Sequence, residues 1–163
     1  MHLCALPLLL ASVVGAGPGE AYRQEVEAWR RAREARLAAE GGWLSVVGLD
    51  WLSEGENRFG SDPKLPVVLP AGKAPALAGV LVVAGGTVTL KAEAEAGITL
   101  DGQPVTTRVL RTDAEGRPDV LRLGSLTFHV IKRGERLAVR LKDADSAARR
   151  AFKGVPAYPV KPA

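Results

Sequence analysis

The residue pattern predicts a mainly β protein: an antiparallel β-sandwich preceded by one N-terminal amphipathic helix and closed by a short C-terminal helix. Three observations carry that reading. Residues 20–40 are dense in Ala, Glu and Arg and hold neither Gly nor Pro, so propensity alone favours a helix about 30 Å long. From Trp43 onward the apolar residues fall in short runs bounded by Gly, Pro, Asn and Asp, which is strand spacing. The last two runs alternate with a period of two, placing Leu126, Phe128 and Val130 on one face and Leu137, Val139 and Leu141 on one face of the partner strand.

Taken in order, residues 1–17 have the shape of a signal peptide. Leu3 to Val14 is an almost unbroken apolar run, and the small residues Gly15-Ala16-Gly17 follow it as a cleavage region. The run is too short to cross a hydrocarbon core of about 30 Å, so no stable membrane span is expected after cleavage. Only His2 precedes it, which makes the signal atypical for want of a basic start; the expected location is periplasmic or secreted. Cys4 is the single cysteine and leaves with this segment, so the mature chain is expected to rely on packing rather than disulfides.

Residues 18–42 form the expected N-terminal helix region. Tyr22, Val26, Trp29 and Leu37 recur at helical spacing, interrupted by Arg33, and Glu27 with Arg31 and Arg30 with Glu34 set opposite charges one turn apart. The narrow stripe predicts a surface helix held by Trp29 and stopped by Gly41-Gly42. Residues 43–154 form the sandwich domain, with strands expected at 43–47, 57–59, 66–69, 80–83, 88–92, 98–100, 105–111, 120–123, 126–131 and 136–142. Gly85-Gly86 and Asp101-Gly102 are hairpin turns because both tolerate positive φ, and Lys132 to Glu135 joins the last two strands. A short helix starts at Ser146, whose hydroxyl can cap the free N–H groups of 147–149, and ends at Gly154. Pro156, Pro159 and Pro162 keep the tail, 155–163, out of regular structure.

The chemistry open to this chain is narrow. A formal charge of +4 and a pI of about 9.5 favour acidic neighbours, while no stacking aromatics are interleaved with the charges, so no nucleic acid is expected. After loss of the leader one histidine remains, His129, on a strand between Phe128 and Val130 and pointing away from them. Ser45, Ser53, Ser61 and Ser125 lack the sharp Gly-x-Ser-x-Gly turn of a serine nucleophile. His and Cys are too few for zinc, iron or haem, and Asp113, Glu115 and Asp119, like Asp143 and Asp145, lack calcium-loop spacing and read as turn and capping carboxylates. No catalytic residue, metal ligand or cofactor is therefore expected. What remains is basic: Arg136, Arg140 and Lys142 on the outward face of the last strand, Lys132 and Arg133 at its hairpin, and Arg149, Arg150 and Lys153 after it. Such a cluster suits a phosphate or carboxylate through bidentate guanidinium contacts.

Five blocks also resemble a bacterial family known only as domain-of-unknown-function family 1684 (DUF1684). They run from Tyr22 through Glu25 to Arg30, then Gly42 to Leu49, Gly55 to Asp62, Leu121 to Leu126 and Asp145 to Gly154. Many members of that family look longer, with a second β-rich region beyond the equivalent of Tyr158-Pro159-Val160, so the resemblance implies a truncated relative or a fragment. The middle of the chain, Gly55 to Pro63, Val67 to Pro70 and Leu100 to Val105, resembles forkhead-associated domains. That resemblance implies their sandwich but not their phosphothreonine pocket: Ser61 stands where the arginine would, residues 74–79 supply neither serine nor histidine, and Asp101 replaces the asparagine. The expected function is a non-catalytic, exported lobe that binds an unknown protein or anionic ligand through Arg149, Arg150, Arg140 and Lys132. The alternative is a small secreted hydrolase using His129 and carboxylates.

Overall fold

The computed structural model describes residues 18–161; the expected signal segment lies outside them. The chain divides into two compact units, one containing residues up to Glu34 together with those from Gly154, the other Ala35–Lys153.

The first unit is the body of helix α1 (Pro18–Ala38) as far as Glu34, with the proline-bearing tail. Glu34 accepts the Val155 N–H at 2.8 Å and Arg30 donates to the Tyr158 carbonyl at 2.7 Å, so two side chains one turn apart hold an extended backbone that cannot pair with itself. Trp29 does not anchor the helix as expected: it is 57% exposed, with the Arg33 guanidinium 5.7 Å from its ring. An arginine able to cover an indole removes the need to bury it.

The second unit is two packed sheets. Strands β1 (Val46–Trp51), β9 (Leu121–Leu123), β10 (Leu126–Arg133), β11 (Arg136–Asp143), β6 (Thr99–Leu100) and β7 (Gln103–Pro104) make one, in the order β1-β11-β10-β9-β6-β7. Strands β2 (Gly55–Gly60), β3 (Val67–Val68), β4 (Gly79–Ala84), β5 (Thr87–Ala92) and β8 (Thr107–Leu110) make the other, in the order β3-β2-β4-β5-β8. All pairings are antiparallel except β2 with β3. The mainly β sandwich with a leading helix and a short closing helix, α2 (Ala147–Ala151), is the architecture.

The alternation in β10 and β11 does what a period of two requires. Leu126, Phe128, Val130, Leu137, Val139 and Leu141 are all buried between the sheets. Phe128 meets Phe59 of β2 with ring centroids 5.6 Å apart and planes tilted 57°, an aromatic contact joining the two layers. Gly85-Gly86 turns β4 into β5 with φ of 56° and 80°, a left-handed pair open to glycine at little cost. Gly60 answers a different need: a Cβ there would stand 2.2 Å from the Ala76 carbonyl, where the 75–78 backbone bonds to Phe59, Ser61 and Asp62.

Several boundaries differ from expectation. Residues 43–45 form a 3-10 turn rather than the start of a strand, and β1 instead continues to Trp51. Val47, Leu49 and Trp51 are apolar on the solvent side of that strand, so the polar contrast that marks a half-buried strand is missing. Strands β10 and β11 run on to Arg133 and from Arg136, which shortens their connection to Gly134-Glu135. The short pair β6 and β7 flanks Asp101-Gly102, and α2 ends at Ala151 rather than at Gly154. Ser146 does cap α2, accepting the Arg149 N–H at 3.2 Å while donating to the Leu44 carbonyl at 2.5 Å.

One charge on β1 is placed against its own solvation. Asp50 is paired in register with the core residue Val139 and therefore points inward from an edge strand; burial pushes its carboxyl above the usual range. An inward charge on an edge opposes the addition of another strand, as does the irregular register between Val46 and Gly48. A raised acid pKa means that the folded state is penalised as pH rises above about 3.8, the unfolded value, with the full penalty at neutrality. Asp50→Asn is expected to raise the melting temperature at pH 7 and leave it unchanged at pH 3, read by thermal unfolding at both. No difference between the two pH values would remove the ionisation as the cause.

Candidate functional site

The outward face of the six-stranded sheet gathers the unspent chemistry. Because paired residues of antiparallel strands share a face, Thr127 stands in one row with Arg122 of β9 and Lys142 of β11, and His129 stands beside Arg140 in the next. Across β11, Leu49 faces Arg140 and Trp51 faces Ala138. Ile131 and Ala138 are buried yet lie outside the inter-sheet cluster. Trp51 stands beside Ala138, with the Arg136 guanidinium 3.7 Å from its ring. That end of the face is an apolar patch. The other end is open: Trp43 is 68% exposed, with the Arg140 guanidinium 5.5 Å from its ring.

Next to the row of Arg140 and His129 lies a depression of about 270 Å³ lined by Glu40, Gly41, Val120, Arg122, Ser125, Thr127, His129, Lys142 and Ala144. Lys142 donates to the Gly41 carbonyl on its rim. Burial, then the charge of Arg140, lowers the Lys142 pKa; burial, then Arg140, Lys142 and Arg133, lowers that of His129 against the opposing pull of Asp113. Unsaturated positive potential is thus the character of this face.

Two further depressions differ in sign or are already closed. The one lined by Arg111, Arg117 and Asp119 is occupied by its own ion pair: Asp119 accepts from Arg111 Nη2 at 2.8 Å, Nε at 3.1 Å and the backbone N–H at 3.1 Å. The one lined by Pro75, Leu77, Glu93 and Glu95 is acidic. In the first unit a depression of about 230 Å³ lies between Trp29 and residues 155–158.

The four expected ligand contacts are not one cluster. Arg140 is on the outward face. Lys132 lies one strand end away, with its ammonium 3.7 Å from Glu135 and its N–H on Asp113. Arg149 donates to the carbonyls of Ala38 and Ala144, both at 2.6 Å, so its fork holds backbone; Arg150 is exposed beside it. Sequence reasoning missed Trp43, Arg122 and Thr127. Pairing between distant strands is what unites them, and it leaves no local signal. His129 has no hydrogen-bonded carboxylate or hydroxyl among the described residues, and of the acids expected to be turn and capping groups Glu115 is held that way while Asp113 and Asp119 join ion pairs. Glu115 accepts from the Thr112 N–H and hydroxyl, and Asp113 binds Lys132 N–H and Arg133. No group of three potential metal ligands occurs among the described residues.

No protein-family model and no curated protein matches the chain. Solved forkhead-associated (FHA) domains do. One, from a structural and functional analysis of phosphothreonine-dependent FHA domain interactions, is 20% identical with a TM-score of 0.40, covering 58% of this chain and 92% of that one. The FhaA FHA domain complexed with the intracellular domain of Rv3910 gives the same identity and score over 58% of this chain and 97% of that one. A third FHA structure is 21% identical at 0.39, over 59% and 92%. Likeness of this degree says nothing about what the chain binds.

Proposed function

We propose that the chain is a non-catalytic binding lobe that captures an anionic partner on the outward face of its six-stranded sheet. The observation that carries the reading is the open end of that face, where exposed Trp43 stands beside Arg140, next to a depression bordered by Arg122 and Lys142. An exposed indole beside guanidinium and ammonium groups that make no ion pair among the described residues offers apolar contact and charge together, the combination that anchors interfaces. Arg150 and Lys132 extend the positive field without sharing the face, and Arg149 is a brace. The leader at 1–17 supports export to the periplasm or beyond, and the five sequence blocks support membership of family 1684; both belong to this proposal.

Retention on an immobilised polyanion such as heparin tests it. Arg140→Glu and Trp43→Ala are each expected to weaken binding at least about tenfold, the scale of a lost interface anchor, with little change in melting temperature. Arg150→Glu should weaken it by less. Equal losses for all three would reduce the site to non-specific charge.

A further inference from the structure

The depression beside His129 has a more specific geometry than a charged surface requires, and we infer that it seats a phosphoryl-sized tetrahedral oxyanion. The inference deepens the reading above and rests on it for the ligand that carries the group. Arg122, Thr127 and Lys142 come from three adjacent strands in one row, so their side chains rise side by side with strand spacings of about 4.8 Å. His129 occupies the next row of the middle strand, and all four line the same volume of about 270 Å³. A planar carboxylate is matched by one guanidinium fork; donors converging from three strands suit an anion with acceptors on several sides. Two cations line the depression and Arg140 adjoins it, against the single carboxylate of Glu40 on the rim. A bound anion relieves the mutual repulsion of these groups.

That arrangement makes binding proton-linked. The groups acting on His129 are Arg140 and Lys142 from β11, Arg133 at the end of its own strand and Asp113 from the turn before β9; Arg122 and Glu40 share its depression. Burial first, and then the net positive field, hold the His129 pKa below the ordinary histidine value. An anion favours the imidazolium, so binding raises the His129 pKa from its lowered value.

The test is a titration of the full chain with inorganic phosphate, followed through the His129 ring resonances, which His129→Gln identifies against His2. The expected result is a saturable shift and a His129 pKa that rises with phosphate. Arg122 is exposed, so Arg122→Gln should weaken binding at least tenfold without unfolding the chain. Sodium chloride at equal ionic strength should produce no such shift. A shift that chloride reproduces, or one that Arg122→Gln leaves intact, overturns the seat. Glycerol 3-phosphate and phosphatidate vesicles, titrated in parallel, separate a soluble carrier from a membrane one, and saturable binding of either supports it. Trp43→Ala distinguishes the two readings: it should leave the phosphate titration unchanged while releasing the polyanion. Phosphate binding without polyanion retention would sink the broader reading alone, and the reverse would sink the seat alone.

Discussion

Replacing Asn57 with alanine is expected to lower the unfolding free energy by about 2–4 kcal/mol, because several buried backbone groups lose their partner at once. The side chain is buried and saturated. Its Oδ1 accepts the Ser53 N–H at 2.9 Å, and its Nδ2 donates to the carbonyls of Ser53 at 2.8 Å, Gly55 at 3.1 Å and, across to β4, Leu81 at 3.3 Å. One amide therefore closes the β1–β2 connection and ties it to the neighbouring strand. Denaturant unfolding of the alanine variant measures the loss. A cost below about 1 kcal/mol would mean that water replaces the amide, against the buried accounting. Asn57→Asp is a sharper version, since a carboxylate cannot donate to three carbonyls.

Lys73→Met is expected to cost about 2 kcal/mol at neutral pH, below the roughly 3–5 kcal/mol of a fully buried broken pair because the lysine side chain is 29% exposed. Lys73 comes from the loop after β3, in the opposite sheet to Asp143 at the end of β11. Its ammonium lies 2.5 Å from the Asp143 carboxylate, which also accepts the Ser125 hydroxyl at 2.8 Å and the Asp145 N–H at 2.9 Å. Burial alone would raise the Asp143 pKa; Lys73, Asp145 and Ser125 together outweigh it and hold the carboxyl below the usual range. A depressed acid pKa stabilises the fold above about 3.8, the unfolded value, and that contribution is lost as pH falls through the folded value. The gap between Lys73→Met and the parent should therefore shrink in acid. A gap that is the same at pH 7 and pH 2.5 would show that the lysine acts through its packed stem alone.

These two sites show what kind of information the sequence carries. The stretch from Gly55 to Gly60 stands out as a motif and invites a functional reading, yet its parts have structural duties. Asn57 staples a turn, Phe59 fills the core and Gly60 admits the 75–78 backbone. Leu126 to Val130 and Leu137 to Leu141 were legible because one face is fully buried and the other, Ala138 apart, is only partly so, which is the condition for a period-two signal. Strand β1 inverts that pattern, with Val47, Leu49 and Trp51 toward solvent and Gly48 and Asp50 turned inward, and the inversion concealed the very strip that flanks the site. The basic candidates were visible as a count but not as a place. Arg149 and Arg140 look alike in sequence, while in the fold one braces two carbonyls and the other faces solvent beside an indole. Arg122, Thr127 and Lys142 become neighbours only through the register of β9, β10 and β11.

Amide chemical-shift mapping with a bound polyanion tests the central claim most directly. The account predicts that the largest perturbations fall on Trp43, Leu49, Arg122, Thr127, His129, Arg140 and Lys142, on one side of one sheet. Perturbations centred instead on Arg149 and Arg150, on the tail beside Trp29, or around Pro75 and Glu93 would contradict it.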